Sequence, residues 1–575
     1  LAFTYDQPGT WDYQIDGFST DQIALYDVSS PSIPTRIENA QVTGDFTVTF
    51  QDTVVSTADY WVGTPAAYQT VAAIEQDTPS NLQDASNAAD HIIITHADFT
   101  SSAQTLRDYR ASQGYRALVV NAQDIYDEFG YGIEGAAPIH DFLAYAYTNW
   151  ESPAPSYVVL LGDGHYDPKY YTSPDKINFI PPFLESVDPW LGETAADNRY
   201  VTLVGDDLMP DMMLGRLAVN TPEEASAFVD KIITYEQTPP STGWQTQVLA
   251  VADDADTGGN FPLLSDNLLS CCVPPSYTTE KVYYGVTHTD ASSATDAILN
   301  GINAGKLFVN YIGHGYTSGW TDLGLLRTDY VNSLTNATMP TIILAMTCKE
   351  GYFINPTPTN GLGEVITRAE GKGAVASWSP TGNGVVTGHD FLNRGFLDAF
   401  FEDGVNTIGE AIQAGKLNLW SVGGSQDLLD TYMLFGDPAM VMLRPLRAND
   451  DSYSVEANTT LDVPSPGILG NDLAASSEAL TINLLSEPDF GELTLSPDGA
   501  FIYTPLAGFT GLDGFSYKVT DGTFLSNLAN VEIEVTAGED NPPVVSDIPN
   551  QTISEGSSFT LIHLDDYVED IDDED

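Results

Sequence analysis

The chain has 575 residues, of which 81 are acidic and 20 are lysine or arginine, so its formal net charge at pH 7 is -61. A surface of this sign repels phosphate groups, which excludes nucleic acids and anionic membrane surfaces as attractive partners. The hydrophobic fraction of 42% is ordinary, so the chain is no disordered polyacid, and its length predicts three or four folded domains.

The first part of the chain has the pattern of a small antiparallel β domain, which we place at residues 1–88. Short β-prone runs such as FTVTF and DYWVG alternate there with turn residues. From residue 89 the pattern changes, because strand-like runs such as HIIITH, ALVVNA and YVVLL alternate with helix-like segments. Alternating strands and helices are typical of a parallel sheet. We therefore predict two α/β subdomains side by side, at residues 89–240 and 241–446.

Two strand-like runs in the second subdomain end at residues with catalytic chemistry. The run VNYI ends at Gly313-His314-Gly315, and the run TIILAM ends at Thr347-Cys348. Ligands bind outside the carboxyl ends of the strands in a parallel α/β sheet, so both side chains should face one cleft. An imidazole beside a thiol takes its proton and stabilises the thiolate, which attacks a carbonyl group far better than the thiol does. The pattern predicts an acyl-transfer site with Cys348 as nucleophile and His314 as base.

The tetrahedral oxyanion formed by such an attack needs preorganised hydrogen-bond donors. The backbone N–H groups of Gly315 and Cys348 are the candidates for this oxyanion hole, since a glycine lets the main chain approach closely. The alternative for the pair is that Cys348 is a small buried residue and His314 a polar turn residue.

Several sequence blocks in this region resemble the gingipain-type cysteine peptidases of the caspase-like clan. The block NYIGHG followed by Trp320 resembles the family's histidine block, and CKEGYF from Cys348 resembles its nucleophile block. The blocks YVVLLGDGHYDP, LGRL and LFGDP resemble further family segments in the same order, so the resemblance spans residues 90–443. It implies a caspase-like fold and a cysteine endopeptidase that acts through a Cys–His dyad and a thioester acyl-enzyme.

The resemblance also implies an acidic residue that orients the histidine, on the first strand of the second subdomain. That strand ends at Asp253-Asp254, and Asp254 falls where the family has its acid, with Asp253 as the second choice. The more familiar family residue at this position is glutamate, so the shorter aspartate departs from the pattern. The alternative is that both aspartates serve the N-terminus of the next helix or bind a cation.

The arginine-cleaving members of the family have an acid at the bottom of the specificity pocket, shortly after that strand. Asp266 occupies a comparable place if the alignment is given a one-residue gap. A buried carboxylate there would pair with a basic substrate side chain next to the scissile bond. The alternative for Asp266 is a solvated acid on a helix surface.

Short strand-like runs with turn signals predict an immunoglobulin-like or cadherin-like β-sandwich at residues 447–538. The segment resembles tandem bacterial surface repeats, and Asn541-Pro542-Pro543 opens what resembles a further, truncated repeat at residues 539–575. Such repeats often bind structural calcium through aspartate oxygens. The candidate ligands are acids near predicted turns, namely Asp450, Asp451, Asp472, Asp513 and Asp521. The alternative for each is a turn residue or a solvated charge.

The composition favours an extracellular setting. A net charge this large needs screening, either by saline water or by bound calcium, and the two explanations are compatible. We expect no organic cofactor. No stretch approaches the roughly 18 apolar residues of a membrane helix. Leu1 and Asp575 both lie in runs that look interrupted, so we expect a segment of a longer protein, with any signal peptide, pro-segment or anchor outside it.

The three cysteines allow at most one disulfide if Cys348 stays free. The adjacent Cys271 and Cys272 have two open outcomes. They form a strained vicinal disulfide, or, as is more common, one packs inward and the other is an inert thiol.

Three functions fit these features. The leading hypothesis is a secreted or cell-surface bacterial cysteine endopeptidase that acts on protein or peptide substrates. The second is a sortase-like transpeptidase that processes surface proteins with the same dyad, since either water or an amine can resolve the acyl-enzyme. The third is an adhesion or scaffold protein with an inactive peptidase domain, which the presence of His314, Cys348 and a nearby acid disfavours.

Overall fold

A computed structural model gives the structure of the chain. It describes residues 1–30, 33–67, 79–173, 176–237, 243–357, 360–474, 480–537 and 544–569. The chain divides into two compact units, the first formed by Leu1–Asn81 with Tyr126–Ile133 and the second by Leu82–Ile125 with Glu134–Asp575. The predicted subdomain boundary at residue 240 and the predicted repeat opening at Asn541-Pro542-Pro543 lie outside the described residues.

The first unit contains two small antiparallel sheets, as the β-prone runs predicted. Their strands are β1 (Ala2–Tyr5), β2 (Gly9–Ile15), β3 (Ala24–Asp27), β4 (Thr35–Arg36), β5 (Gln41–Val42), β6 (Val48–Val54) and β7 (Ala58–Gly63). One sheet has the order β1-β7-β3-β4 and the other β2-β6-β5. Apolar and aromatic side chains such as Leu25, Phe50 and Tyr60 are buried between them, and the ring of Tyr13 stacks on Phe50 with centroids 4.6 Å apart.

The second unit is built on one ten-stranded sheet. Its strands are β8 (His91–Thr95), β9 (Ala117–Asn121), β10 (Tyr157–Leu161), β13 (Met213–Leu217), β14 (Gln247–Ala252), β15 (Thr278–Tyr283), β16 (Phe308–Ile312), β19 (Thr341–Met346), β20 (Ala374–Pro380) and β21 (Tyr432–Phe435). Two hairpins lie outside it, formed by β11 (Leu184–Asp188) with β12 (Gly192–Ala195) and by β17 (Gly315–Tyr316) with β18 (Gly319–Trp320).

The predicted α/β halves are confirmed, and they share this sheet. The strand order is β15-β14-β16-β19-β20-β21-β13-β10-β8-β9. Strands within each half run parallel, whereas β20 and β21 pair antiparallel. Because β21 pairs with β20 on one side and with β13 on the other, the last strand of the segment joins the two halves into a single sheet.

The structure describes ten α-helices, of which α5 and α8 lie on one face of the sheet and α6 and α7 on the other. They are α1 (Thr100–Ser112), α2 (Ala122–Gly130), α3 (Ala136–Asn149), α4 (Pro222–Gln237), α5 (Phe261–Cys272), α6 (Ala291–Asn303), α7 (Leu362–Arg368), α8 (Val386–Asp398), α9 (Ile408–Val422) and α10 (Asp427–Thr431). Shorter turns are 3-10 helices at Pro65–Ala67, Ala97–Phe99, Asp197–Val201, Trp244–Thr246, Thr328–Ser333, Gly467–Leu469 and Leu564–Tyr567, and a π-helix at Ala399–Asp403.

The central strands are buried on both sides. Val248, Ala250 and Ala252 of β14 lie in the core that includes residues of α5 and α8. Leu249 and Val251 lie in the opposite core, with residues of α6 and α7. Successive side chains of a strand point to opposite faces, so a continuous apolar run is what a doubly covered strand requires. In the ranges described, no helix combines enough length with enough apolar character to cross a lipid bilayer.

Buried charges tie the loop after β21 to the first half of the sheet. The Asp437 carboxylate lies 3.0 Å from His91 Nε2 and 2.8 Å from Arg110 Nε, and Arg110 also pairs with Glu236 at 3.0 Å. Burial alone would raise the pKa of Asp437, but the charges of Arg110 and His91 hold it below its usual range. The LFGDP block is therefore explained by a buried ion network.

A second buried charge supports the segment that follows the candidate nucleophile. Arg216 Nε lies 2.8 Å from the Asp197 carboxylate, and its Nη1 donates to the carbonyl oxygens of Gly162 and Ile180, each at 2.9 Å. The guanidinium also lies over the ring of Phe353 at 4.7 Å. This accounts for the arginine of the LGRL block, because a buried guanidinium needs all its donors matched.

The predicted C-terminal β-sandwich is also confirmed. Its strands are β22 (Leu446–Arg447), β23 (Asp451–Glu456), β24 (Leu461–Val463), β25 (Leu473–Ala474), β26 (Thr481–Ser486), β27 (Gly491–Leu495), β28 (Phe501–Pro505), β29 (Gly511–Thr520) and β30 (Ala529–Thr536), followed by a short pair, β31 (Val544–Val545) and β32 (Val568–Glu569). The two main sheets are β23-β30-β29-β26 and β24-β28-β27. Lys518 of β29 donates to the Glu402 carbonyl at 2.8 Å, which joins the sandwich to the α/β part of the second unit.

Candidate active site

The strand register brings the predicted nucleophile and base to the same sheet edge. Strands β16 and β19 are neighbours and run parallel, with Ile312 opposite Met346. His314 and Cys348 therefore each follow a paired position by two residues. A Cβ atom placed on Gly315 would lie only 2.9 Å from the Cys348 carbonyl oxygen, so the two loops are in direct contact and a glycine is required there.

Cys348 carries the free thiol of the chain and is partly buried. Its Sγ lies 3.8 Å from the carbonyl oxygen of Gly384, in the loop after β20. Burial raises the pKa of the Cys348 thiol, although Lys349 acts in the opposite direction. Lys349 has a left-handed backbone with a φ of +54°, which turns the chain sharply just after the sulfur. The thiol thus sits on a tight turn and needs a base to ionise it near neutral pH.

The His314 imidazole is held from one side by the loop that follows β14. Its Nε2 lies 3.0 Å from Asp256 Oδ2, and the Phe261 ring packs edge-on with centroids 5.2 Å apart. A Cβ atom on Gly258 would come within 2.9 Å of Cε1, so this loop lies directly on the ring. The pKa of Asp256 is held below its usual value by the Gly258 N–H and by His314. The contacts at Nε2 leave Nδ1 as the ring nitrogen that can take a proton from a thiol.

The acid against the ring differs from the expected one. Asp253 is buried and accepts from the backbone N–H groups of His314 at 3.3 Å and Asp254 at 3.0 Å, and burial raises its pKa to about 6. Asp254 is exposed, and its Cβ faces Gly285. The chain then turns at Asp256, which returns its carboxylate to the imidazole. Asp253 thus supports the main chain of His314, and Asp256 replaces Asp254 as the acid at the ring.

Sequence reasoning missed Asp256, although a signal for it was present. The run Asp253-Asp254-Ala255-Asp256 is followed by Thr-Gly-Gly, and Asp256 accepts from the Gly258 N–H at 2.7 Å. An aspartate two residues before a glycine is typical of an Asx turn. Such a turn after a strand folds the carboxylate back toward the sheet edge, where the histidine of the neighbouring strand lies.

The proposed oxyanion donors lie on the two touching loops. Gly315 opens β17 and pairs with Trp320, while the Thr321 N–H donates to the His314 carbonyl at 2.8 Å. This second hairpin fixes the main chain next to the imidazole. The role of the Gly315 and Cys348 N–H groups as an oxyanion hole stays a prediction.

A second histidine lies near the thiol and is unsuited to act as its base. His389 is buried at the start of α8, and a Cβ on Gly384 would overlap its imidazole. Burial lowers its pKa to about 3, so the ring stays neutral at any physiological pH. Of these two imidazoles, His314 is the one with an exposed ring and a carboxylate partner.

The structure places Asp266 near the edge of the ten-stranded sheet. It is on α5, where its carboxylate pairs with Lys281 Nζ at 2.7 Å and accepts from Tyr283 OH at 3.0 Å. Both partners belong to the edge strand β15, three strands from the strand that carries Cys348, or about 14 Å at the usual spacing. Lys281 lowers the pKa of Asp266. The helix turns the carboxylate toward β15 in this structure, and the pocket role expected for Asp266 stays a prediction.

The five candidate calcium ligands separate into two groups. Asp451 and Asp472 approach one another at the Tyr517 hydroxyl, 3.3 Å from each, and burial raises the pKa of both to about 6. Asp450 accepts from the Asn530 N–H at 2.7 Å.

The other two candidates are turn acceptors. Asp513 accepts three backbone N–H bonds and one from the Tyr503 hydroxyl, and Asp521 accepts from the Thr523 and Phe524 N–H groups. Over the described ranges, no three histidine, cysteine or acidic side chains form a group suited to a metal ion. Structural calcium therefore stays a prediction.

Cys271 and Cys272 form a vicinal disulfide, the less common of the two outcomes expected for adjacent cysteines. The pair ends α5, and Arg394 of α8 lies 2.7 Å from Cys271 Sγ while it also pairs with Asp390. The disulfide leaves Cys348 as the thiol available for chemistry.

Comparison with known proteins matches two consecutive segments of the chain. A model of Peptidase family C25 matches residues 84–443, and a bacterial Ig domain matches residues 444–534. Lys-gingipain of Porphyromonas gingivalis is 28% identical over 334 residues, which are 50% of this chain and 19% of that protein. Gingipain R2 of the same organism is 25% identical over 432 residues, which are 72% of this chain and 52% of that protein.

A solved structure shows the same fold. The crystal structure of the Arg-specific cysteine proteinase gingipain R gives a TM-score of 0.52 at 23% identity, covering 80% of this chain and 100% of that one. The chain spans about a fifth and about half the lengths of the two curated relatives. The C-terminal sandwich is confirmed as immunoglobulin-like, whereas its cadherin-like character is not. Because the family match at residues 84–443 covers more than half of the sequence, the chain belongs to peptidase family C25.

Proposed function

We propose that the protein is a cysteine endopeptidase in which Cys348 is the nucleophile, His314 the general base and Asp256 the residue that orients the imidazole. The observation that carries the proposal is the register of β16 and β19, which sets both side chains two residues beyond facing positions on touching loops. Membership of a peptidase family supports the reaction class.

The reaction begins with a proton transfer. His314 Nδ1 takes the thiol proton of Cys348, and the thiolate attacks the carbonyl carbon of the scissile peptide bond. In the free protein the Cys348 Sγ lies 3.8 Å from the Gly384 carbonyl oxygen, and it gives up this contact when its proton passes to the imidazole. The Asp256 carboxylate accepts from Nε2 and stabilises the imidazolium that forms.

The tetrahedral intermediate then collapses in the usual order. Its oxyanion is bound by the N–H groups of Gly315 and Cys348, and the imidazolium gives its proton to the leaving amine, which leaves a thioester on Cys348. His314 next removes a proton from water, and the hydroxide attacks the thioester. The carboxylic product departs and the thiol is restored. An amine in place of that water would give a transpeptidase, so transfer products are one outcome of the test below.

The substrates we propose are proteins or peptides, and the setting is extracellular or at a bacterial cell surface. The family match and the bacterial Ig domain that follows it support this reading, as does the disulfide, since disulfides persist in oxidising compartments. An inactive scaffold is the weaker alternative, because a free thiol and a paired imidazole are both retained at the sheet edge.

The test is cleavage of a diverse peptide mixture by the purified chain, with hydrolysis and transfer products read by mass spectrometry. Cys348→Ala should abolish both kinds of product while the melting temperature is unchanged. The matched control is Cys271→Ala with Cys272→Ala, which removes the disulfide and keeps the nucleophile. Turnover that survives in Cys348→Ala would overturn the assignment.

A further inference from the structure

The hairpin formed by β11 and β12 presents two large apolar side chains to solvent. Trp190 is 60% exposed and Leu191 is 41% exposed, and both lie at the turn between the strands. A single exposed apolar side chain is ordinary on a protein surface. Here two consecutive apolar side chains are exposed, and one of them is a tryptophan. The main chain of their turn is held by hydrogen bonds, which is typical of a surface that binds another apolar group.

A buried carboxylate fixes this turn to the wall of the active site. Asp188 accepts the N–H groups of Trp190 and Leu191, both at 2.7 Å, on one oxygen. Its other oxygen accepts the N–H of Asn383. Asp188 is itself almost fully buried. One side chain therefore determines the position of the hairpin turn and of the loop after β20 together.

Further hydrogen bonds join the same two segments. The Thr194 hydroxyl donates to the Thr381 carbonyl at 3.0 Å, and the Thr381 hydroxyl donates to the Ala195 carbonyl at 2.5 Å. All three residues are buried. The hairpin is thus a rigid extension of the loop at 381–384.

That loop lies against the nucleophile. The Gly384 carbonyl receives the Cys348 thiol at 3.8 Å, and the Lys349 N–H donates to the Gly382 carbonyl at 2.8 Å. Burial is the main reason that the pKa of Cys348 is raised, and the charge of Asp188 acts in the same direction, which fits a short separation. The turn that carries Trp190 and Leu191 is thus joined, through Asp188 and the 381–384 loop, to the segment that carries the sulfur.

We propose that Trp190 and Leu191 form a substrate subsite that binds an apolar side chain of the peptide beside the scissile bond. The inference rests on the proposed cysteine peptidase activity. A fixed tryptophan suits this role, since its large apolar surface is held in place before binding and little conformational freedom is lost. The two residues select substrates and take no part in the chemistry at the sulfur.

The experiment compares kcat and KM across a peptide series that varies one position at a time around the cleaved bond. The wild-type chain should prefer a large apolar or aromatic residue at one of these positions. Trp190→Ala should reduce kcat/KM for those peptides at least tenfold through KM, with kcat within twofold, and should scarcely affect peptides with glycine or a charged residue there. Trp190→Phe should restore most of the preference.

Two controls separate the subsite from the hairpin and from the nucleophile. Glu193→Gln alters an exposed side chain on the same hairpin and should leave the profile unchanged. The rate of Cys348 alkylation by iodoacetamide should be the same in wild type and in Trp190→Ala. If Trp190→Ala failed to fold, Leu191→Ala should still show a smaller loss confined to the same peptides.

Two results would overturn the subsite. One is a wild-type profile without any apolar preference, and the other is a loss in Trp190→Ala spread evenly over all peptides. Failure of the proposed function is distinguishable from both, because wild type would then cleave no peptide in the series, or cleavage would persist in Cys348→Ala regardless of the residue at position 190.

Discussion

The two halves of the ten-stranded sheet share one architecture, but the ion pair in one half is buried and the ion pair at the candidate active site in the other is half exposed. In the half formed by β8, β9, β10, β13 and β21, the ion pair of Asp437 with Arg110 is almost fully buried. In the other half, His314 and its partner Asp256 have side chains that are 52% and 44% exposed. A desolvated pair locks the fold, because separating it leaves a buried charge unmatched. A half-exposed pair stays in contact with solvent, so its partners can separate without leaving a buried charge.

The largest effect should follow from breaking the buried network. Arg110→Leu leaves the Asp437 carboxylate buried with one partner fewer, and should lower the free energy of unfolding by about 3–5 kcal/mol. Unfolding in denaturant measures this loss of stability. The control on the same helix is Arg107→Leu, because Arg107 forms an exposed pair with Asp108 and its loss should change stability by no more than about 1 kcal/mol. Equal losses of stability in Arg110→Leu and Arg107→Leu would contradict the contrast between buried and exposed ion pairs.

The same network predicts a pH dependence. The folded-state pKa of Asp437 is held below its usual range by Arg110 and His91 despite its burial. Its stabilising contribution is therefore present above the unfolded value near 3.9 and is lost as the pH falls below it. Wild type should approach Arg110→Leu in stability under acid, and a gap that stays constant down to pH 2 would argue against this assignment.

Loss of the exposed pair of His314 with Asp256 should lower the rate of catalysis and leave the free energy of unfolding unchanged. Asp256→Asn should reduce kcat by about 10- to 100-fold, less than the about 10⁴-fold seen for a fully buried orienting carboxylate, because solvent screens the interaction. Asp254→Asn is the matched control, two residues away in the same loop, and should keep at least half of the wild-type rate. If Asp254→Asn were the slower variant, Asp254 would be the orienting acid after all.

A smaller effect is expected at Glu350, two residues after the nucleophile. Burial raises its pKa to about 7, with Ser379 and Trp320 only partly offsetting it. A carboxyl group whose pKa is higher in the folded than in the unfolded state lowers the free energy of unfolding as the pH rises from the unfolded pKa to the folded one. Glu350→Gln should therefore match wild type near pH 4.5 and exceed it by about 1–2 kcal/mol above pH 7. The control Glu370→Gln changes an exposed side chain and should have the same free energy of unfolding as wild type at every pH. A stability difference between Glu350→Gln and wild type that does not vary with pH would exclude titration of Glu350 as its cause.

The smallest effect concerns the proposed structural calcium of the Ig domain. Asp451 and Asp472 both have a pKa raised to about 6, chiefly by burial, and we predict that a cation binds this pair once both are ionised. Chelation should lower the melting temperature by about 2–4 °C at pH 8 and have no effect at pH 5. Asp472→Asn should abolish the difference. Equal melting curves with and without chelator at pH 8 would remove calcium from this pair.

Much of the fold was readable from the sequence because it depends on local patterns. The runs VNYI and TIILAM predicted strands, and their ends predicted that His314 and Cys348 would share one cleft. Both strands are buried and adjacent, which the apolar runs require. The β-prone runs at the two ends of the chain likewise predicted the antiparallel sheets.

The rest depends on contacts that local patterns do not encode. The joining of the halves follows from β21, which pairs with strands distant in the chain. Asp266 was placed from an alignment offset, yet the face of α5 on which it lies turns it to Lys281. Asp254 was chosen from the family pattern, whereas the turn at Gly258, whose N–H donates to Asp256, brings the Asp256 carboxylate to the ring.

The most direct test of the central claim is the pH dependence of Cys348 alkylation in wild type and in His314→Ala. The vicinal disulfide leaves Cys348 as the free thiol, so intact-protein mass spectrometry reports on that sulfur. If His314 is its base, iodoacetamide should modify wild type near pH 7 at least tenfold faster than His314→Ala, which should become reactive only in alkali because burial raises the pKa of the thiol. Identical profiles for the two proteins would contradict the Cys348–His314 site.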